Sequence, residues 1–191
     1  GQRELDIKLA KKGFKANWGA PCKRKRYASR IQPGGVAVLT KSHIQAKTIL
    51  PKTSLRKRLF AEGRLLHVVL HLGQTCVHII ALYGHPNSST DKMQREKNEE
   101  LLREALLIAA ELGNVPVMIA GDLNTTLQAS GVLTSALATQ RCWGVAETHS
   151  LTQEEGHRPE PTCIQKETSV GSRIDYIFTN SVLTPCVAQF K

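Results

Sequence analysis

The run Val115-Pro116-Val117-Met118-Ile119-Ala120 constrains the fold more than any other segment, because it is apolar throughout and passes straight into Gly121-Asp122-Leu123-Asn124. Its length and composition predict a strand buried on both faces, as in the middle of a layered α/β protein. Asp122 then stands where the strand leaves the core. The glycine before it permits a tight turn and a close backbone approach. The Asp122 carboxylate and the Asn124 amide place an acceptor and a donor two residues apart, able to position a water and hold a phosphate oxygen. The same four residues are also good turn chemistry, since Asp and Asn bond their own backbone and tolerate left-handed conformations. A second segment, Ser172-Arg173-Ile174-Asp175-Tyr176-Ile177-Phe178, sets Asp175 among apolar neighbours. There it is predicted buried or half-buried and in need of a partner. Arg173 can supply one; a histidine whose tautomer the carboxylate fixes is the catalytic alternative.

The remaining pattern predicts a two-sheet α/β sandwich rather than a parallel Rossmann arrangement. Arg64 to Leu72 and Thr75 to Tyr83 read as two strands joined by Gly73-Gln74, a hairpin signal and hence antiparallel pairing. Leu101, Leu102, Ala105, Leu106, Ala109 and Leu112 make the apolar face of a helix over Thr90 to Leu112. Ser89 or Thr90 can cap its start, Gly113 can end it, and Glu99 with Arg103 forms an i, i+4 pair. Residues 3 to 12 read as a helix with Leu5, Leu9 and Lys12 on one face and Glu4 in its first turn. Val132 to Leu137 reads as a short helix and Glu147 to Pro161 as a loop. His67 and His71 share one strand face, opposite Val68 and Leu70, with no carboxylate nearby in sequence. They read as surface or sheet-face histidines rather than a metal centre.

The net charge of +10 is unevenly spread. Residues 1 to 60 hold 16 Lys and Arg against Glu4 and Asp6, giving +14; residues 61 to 191 hold 10 against 14, giving −4. The densest clusters are Lys23-Arg24-Lys25-Arg26, with Tyr27 and Arg30, and Arg56-Lys57-Arg58. Such clusters attract phosphate backbones without sequence choice; a lone cluster reads first as a solvated loop or a localisation signal, whereas two beside these carboxylate motifs point to a polyanionic substrate. No apolar run is long enough to cross a membrane, so no membrane partner is expected. Five scattered cysteines without a Cys-x-x-Cys pair favour reduced thiols in an intracellular, nuclear-compatible setting over a disulfide scaffold or zinc site.

Taken in order, Tyr83 with Pro86-Asn87, Asp122 with Asn124, Thr162, and Arg173 with Asp175 resemble the motif series of the endonuclease/exonuclease/phosphatase family. Gly34-Gly35-Val36-Ala37-Val38-Leu39 resembles the early glycine-led strand of its LINE-type retroelement branch. His85 lengthens the usual Tyr-to-Pro-Asn spacing by one residue. The resemblance implies a four-layered α/β sandwich of two mixed, mainly antiparallel sheets flanked by helices. It also implies Mg²⁺-dependent phosphodiester cleavage, with Asp122 orienting or activating a water, Asn124, Tyr83 and Asn87 holding the phosphate, Asp175 orienting a histidine, and Arg173 bracing the motif. Lys23, Arg24, Lys25 and Arg26 then become substrate contacts.

The family's Gln-Glu strand, whose Glu is the main metal ligand, and its closing Ser-Asp-His are not in this sequence. Glu4 lacks the preceding strand that ligand requires. The expectation is therefore a partial family domain over residues 1–191, lacking the first strands and the last strand with its Asp-His. It would be an endonuclease of retroelement or abasic-site type, with nucleic acid as partner and a reverse transcriptase in the same full-length product. The alternatives are an inactive nucleic-acid-binding remnant and a phosphoesterase acting on lipid or inositol phosphate.

Overall fold

The computed structural model describes residues 2–20, 35–138, 143–145, 161–163 and 171–186. The chain divides into two compact units, Gly1–Tyr83 and Gly84–Lys191.

In the first unit, helix α1 (Gln2–Lys11) is followed by β1 (Phe14–Trp18), which pairs antiparallel with β2 (Ala37–Lys41). The amphipathic spacing of α1 does not produce a buried face: none of its residues is buried, and Leu5 and Ile7 are exposed. Glu4 lies in its first turn, with its carboxylate 3.2 Å from Lys8 Nζ. Strands β3 (Gln45–Thr48), β4 (Leu65–Leu72) and β5 (Thr75–Tyr83) pair antiparallel in sequence order. Gly73 supplies the positive φ of 64° that the two-residue turn of the β4–β5 hairpin requires. Leu66, Val68 and Ala81 line one face of that hairpin and join Val38 in a core. Between β3 and β4 lies helix α2 (Ser54–Ala61), whose first turn is closed by Thr53 Oγ1 accepting from Arg56 N.

In the second unit, helix α3 (Lys92–Leu112) buries Leu101, Leu102, Ala105, Ile108 and Ala109 and ends at Gly113. Its cap is Asp91, not Ser89 or Thr90, because one Asp91 oxygen accepts from both Met93 N and Gln94 N. Glu99 reaches away from the expected pairing and accepts from Val132 N at the start of helix α4 (Gly131–Ala138). Strand β6 (Val117–Asp122) pairs antiparallel with β8 (Asp175–Asn180), which also pairs with β7 (Trp143–Val145). Along β6, Val117 and Ile119 are buried while Met118 and Ala120 are half-buried, so one face is drier than the other and the strand is not enclosed on both. Asn180 clamps its start, donating to Val115 O and accepting from Val117 N.

The expected class is the observed one: α/β, with mainly antiparallel sheets and flanking helices. Among the described residues no helix is long and apolar enough to cross a membrane.

Candidate functional site

The β6–β8 pair brings the two carboxylate motifs together. Asp122 and Asp175 are direct antiparallel partners, at the end of β6 and the start of β8. Directly opposed residues share a sheet face, with Cβ atoms roughly 4.5–5.5 Å apart. Asp175 is exposed, against the burial its apolar neighbours suggested, because it lies at the strand's first position rather than within it. Thr162 holds its backbone: Oγ1 accepts from Ile174 N at 3.0 Å and from Asp175 N at 3.1 Å. Arg173 lies beside the same motif. Its guanidinium carbon lies 5.6 Å from the centre of the Tyr176 ring, and the Tyr176 hydroxyl donates to Arg173 O at 2.8 Å.

The turn after β6 is closed by its own side chains. Asp122 Oδ1 accepts from Asn124 N at 2.9 Å, and Asn124 takes a left-handed φ of 50°. This is the turn chemistry allowed for by the sequence, and it leaves Asp122 and Asn124 in fixed relative orientation. Asn124 Nδ2 donates to Gly84 O at 3.1 Å, while Gly84 N donates to Asp122 O at 2.7 Å. Residue 84 has to be glycine, because a Cβ there would overlap the Leu123 carbonyl.

Two buried residues outside the sequence motifs lock these segments. Asn98 of α3, 1% exposed, accepts from His85 N at 3.0 Å and donates to Leu123 O at 2.9 Å. Ser88 donates to Asn124 O. A signal for Asn98 was present: it falls in the i, i+3, i+4 series of Leu101 and Leu102, a polar residue in an apolar stripe. Asn87 also has a left-handed φ, 62°, and is exposed.

Tyr83 belongs to the first unit, at the end of β5. The Arg64 guanidinium carbon sits 4.8 Å from its ring centre, and Arg64 Nη1 donates to Tyr83 O at 3.4 Å. Lys23, Arg24, Lys25 and Arg26 lie outside the described residues.

Among the described residues, the histidines of β4 and β5 belong to no group of three or more His, Cys, Asp or Glu able to hold a metal ion. His67 is buried, and its Nε2 shares a hydrogen bond with His78 Nδ1 at 3.0 Å. Burial, then the charges of His78 and Arg56, push the His67 pKa down from 6.5 to about 4, so its ring is neutral. Burial, then His71, lowers that of His78.

The family model of the endonuclease/exonuclease/phosphatase family matches residues 3–189. The chain belongs to the endonuclease/exonuclease/phosphatase family. Solved structures agree in fold. One is the 3′ phosphatase NExo from Neisseria bound to a product DNA hairpin, with a TM-score of 0.61 and 14% identity over 94% of this chain and 72% of that one. Another is D. rerio TDP2 complexed with a single-stranded DNA product, with a TM-score of 0.60 and 16% identity over 95% and 67%. The human nocturnin catalytic domain with bound sulfate gives 0.58 and 11% over 93% and 64%. The chain spans 64% of the length of nocturnin's domain and of truncated Caenorhabditis elegans TDP2. No curated protein sequence matches it.

Family membership raises the question of a divalent cation. Carboxylate oxygens suit Mg²⁺, and Asp122 and Asp175 supply them side by side. Yet among the described residues no group of three or more His, Cys, Asp or Glu could hold a metal ion. The described donors by themselves do not fit a complete cation site.

Proposed function

We propose that this chain is part of a metal-dependent phosphodiesterase-type domain acting on nucleic acid. The observation that carries the reading is the in-register Asp122 and Asp175 pair beside the fixed Asn124 amide, in a member of this family. In hydrolysis, Asp122 would orient the attacking water and draw on its proton, and Asn124 would donate to a phosphate oxygen. Tyr83 and Asn87 are proposed as further phosphate contacts, and Asp175 as the orienting partner of a histidine. A divalent cation, when bound, would neutralise charge on the phosphate. Because the described donors lack a complete cation set, the 191-residue chain is proposed to be a slow catalyst.

The basic first 60 residues favour a polyanion, and the DNA-bound relatives point the same way. Lys23, Arg24, Lys25 and Arg26 are proposed as backbone contacts. Each contact neutralised should reduce the log–log salt slope of duplex binding by about 0.9. The glycine-led Gly34–Leu39 segment favours a retroelement-type over an abasic-site endonuclease, and a reverse transcriptase in the same full-length product is proposed with it.

Incubating supercoiled plasmid with the chain in Mg²⁺ or in chelator tests the proposal. Slow, Mg²⁺-dependent nicking is expected. Binding without any nicking would support the inactive-remnant reading instead.

A further inference from the structure

Asn98 breaks the rule of the helix that carries it. It stands in the stripe that continues through Leu101, Leu102 and Ala105, where a leucine would pack, and it is 1% exposed. A buried amide is tolerated only when its polar atoms are bonded. Here neither of its bonds serves the helix itself. Oδ1 takes the backbone N–H of His85 and Nδ2 gives to the carbonyl of Leu123, so one side chain ties α3 to both segments of the candidate site.

The consequences extend past the two bonded groups. Leu123 lies between Asp122 and Asn124, and its carbonyl is the group against which Gly84 packs too closely for any Cβ. Asn124 in turn donates to Gly84 O, accepts at its own carbonyl from Ser88, and holds a left-handed φ. With the Leu123 carbonyl pinned from α3, the peptide plane preceding Asn124 is fixed, and with it the angle between the Asp122 and Asn124 side chains. Polar groups that violate local pattern in this way mark places where one geometry has to be specified.

We infer that Asn98 is a positioning residue for the Asp122–Asn124 turn, acting through the backbones of His85 and Leu123 without touching substrate. The inference rests on the phosphodiesterase reading only for the use to which that turn is put; the positioning is testable without activity.

The test compares Asn98→Leu with Leu101→Ala in the whole chain, by amide hydrogen exchange and by the HN–Hα coupling of Asn124. Leu101→Ala loosens the same helix face without removing either bond. In Asn98→Leu the Asn124 amide, which Asn98 does not touch, should exchange roughly tenfold to a hundredfold faster while the β6 and β8 amides keep their protection. The coupling should show Asn124 leaving its left-handed conformation. Leu101→Ala should leave both signals at Asn124 in place. If both variants shift Asn124 alike, or neither does, the positioning role is wrong. Should Asn98→Leu fail to fold, Asn98→Ser, which leaves room for a bridging water, should give the same shift at smaller size. Mg²⁺-dependent cleavage by Asp122→Asn tests the phosphodiesterase reading separately, so the two failures are distinguishable.

Discussion

The β4–β5 hairpin and the β6–β8 pair each set titratable side chains together on antiparallel strands, and they treat them in opposite ways. His67 sits inside β4, is 7% exposed and shares a hydrogen bond with His78. Asp122 and Asp175 face each other at the strand ends, with Asp175 in solvent, its backbone N–H held by Thr162 Oγ1, and the Asp122 carboxylate accepting from the Asn124 backbone N–H. Position along the strand makes the difference. In mid-strand a polar group loses water and has to be satisfied internally, which keeps it neutral and structural. At the strand end it keeps access to solvent, and hence to a substrate.

The sharpest way to break the comparison is through one glycine from each region. Gly84→Ala forces a Cβ into the Leu123 carbonyl, where backbone and not a flexible side chain has to yield. Overpacking of this kind should cost about 3 kcal/mol in a urea titration. Gly73→Ala, in the hairpin turn, meets nothing within 4 Å and has only its φ of 64° to resist it, so about 1 kcal/mol is expected. Equal costs would mean that the close approach at Gly84 is not structural.

Acid should distinguish the two regions next. An unfolded histidine takes up a proton near pH 6.5, whereas His67 refuses it until about pH 4. The unfolded state therefore binds more protons between these values. The stability present above pH 6.5 is lost as the pH falls towards 4, on the order of 3 kcal/mol in all. Exchange rates of β4 and β5 amides across that range measure it. His67→Leu should flatten the profile; a profile unchanged by His67→Leu would assign the acid sensitivity elsewhere.

The smallest expected effect concerns the carboxylates. Like charges directly opposed on paired strands disfavour pairing, so Asp175→Asn should raise the stability of the β6–β8 pair by a few tenths of a kcal/mol while reducing any cleavage. Lower stability in that variant would mean that Asp175 has a structural partner worth more than the repulsion relieved.

Features encoded by neighbours in sequence were legible. The hairpin came from one glycine and two apolar runs, and α3 from its periodicity and Gly113. The candidate site was legible in its residue types but not in its assembly. Nothing local says that Asp122 and Asp175 pair in register, because that depends on how two distant strands align. Asp175 was expected indoors on the strength of its apolar neighbours, but the first position of a strand does not share their burial. Asn98 was missed because its partners, His85 and Leu123, are backbone groups that no motif names. Alternation places His67 on a sheet face but does not say that this face is covered, and the residue is buried.

The central claim is that the Asp122 end of the β6–β8 pair cuts phosphodiesters. Single-turnover cleavage of a labelled oligonucleotide with Mg²⁺, by the chain and by Asp122→Asn, tests it most directly. The account predicts slow cleavage that chelator abolishes, and a further loss on the order of 10²-fold or more in the variant, with the exchange protection of β6 and β8 preserved. Cleavage by Asp122→Asn at the parental rate, or none by either chain, would contradict it.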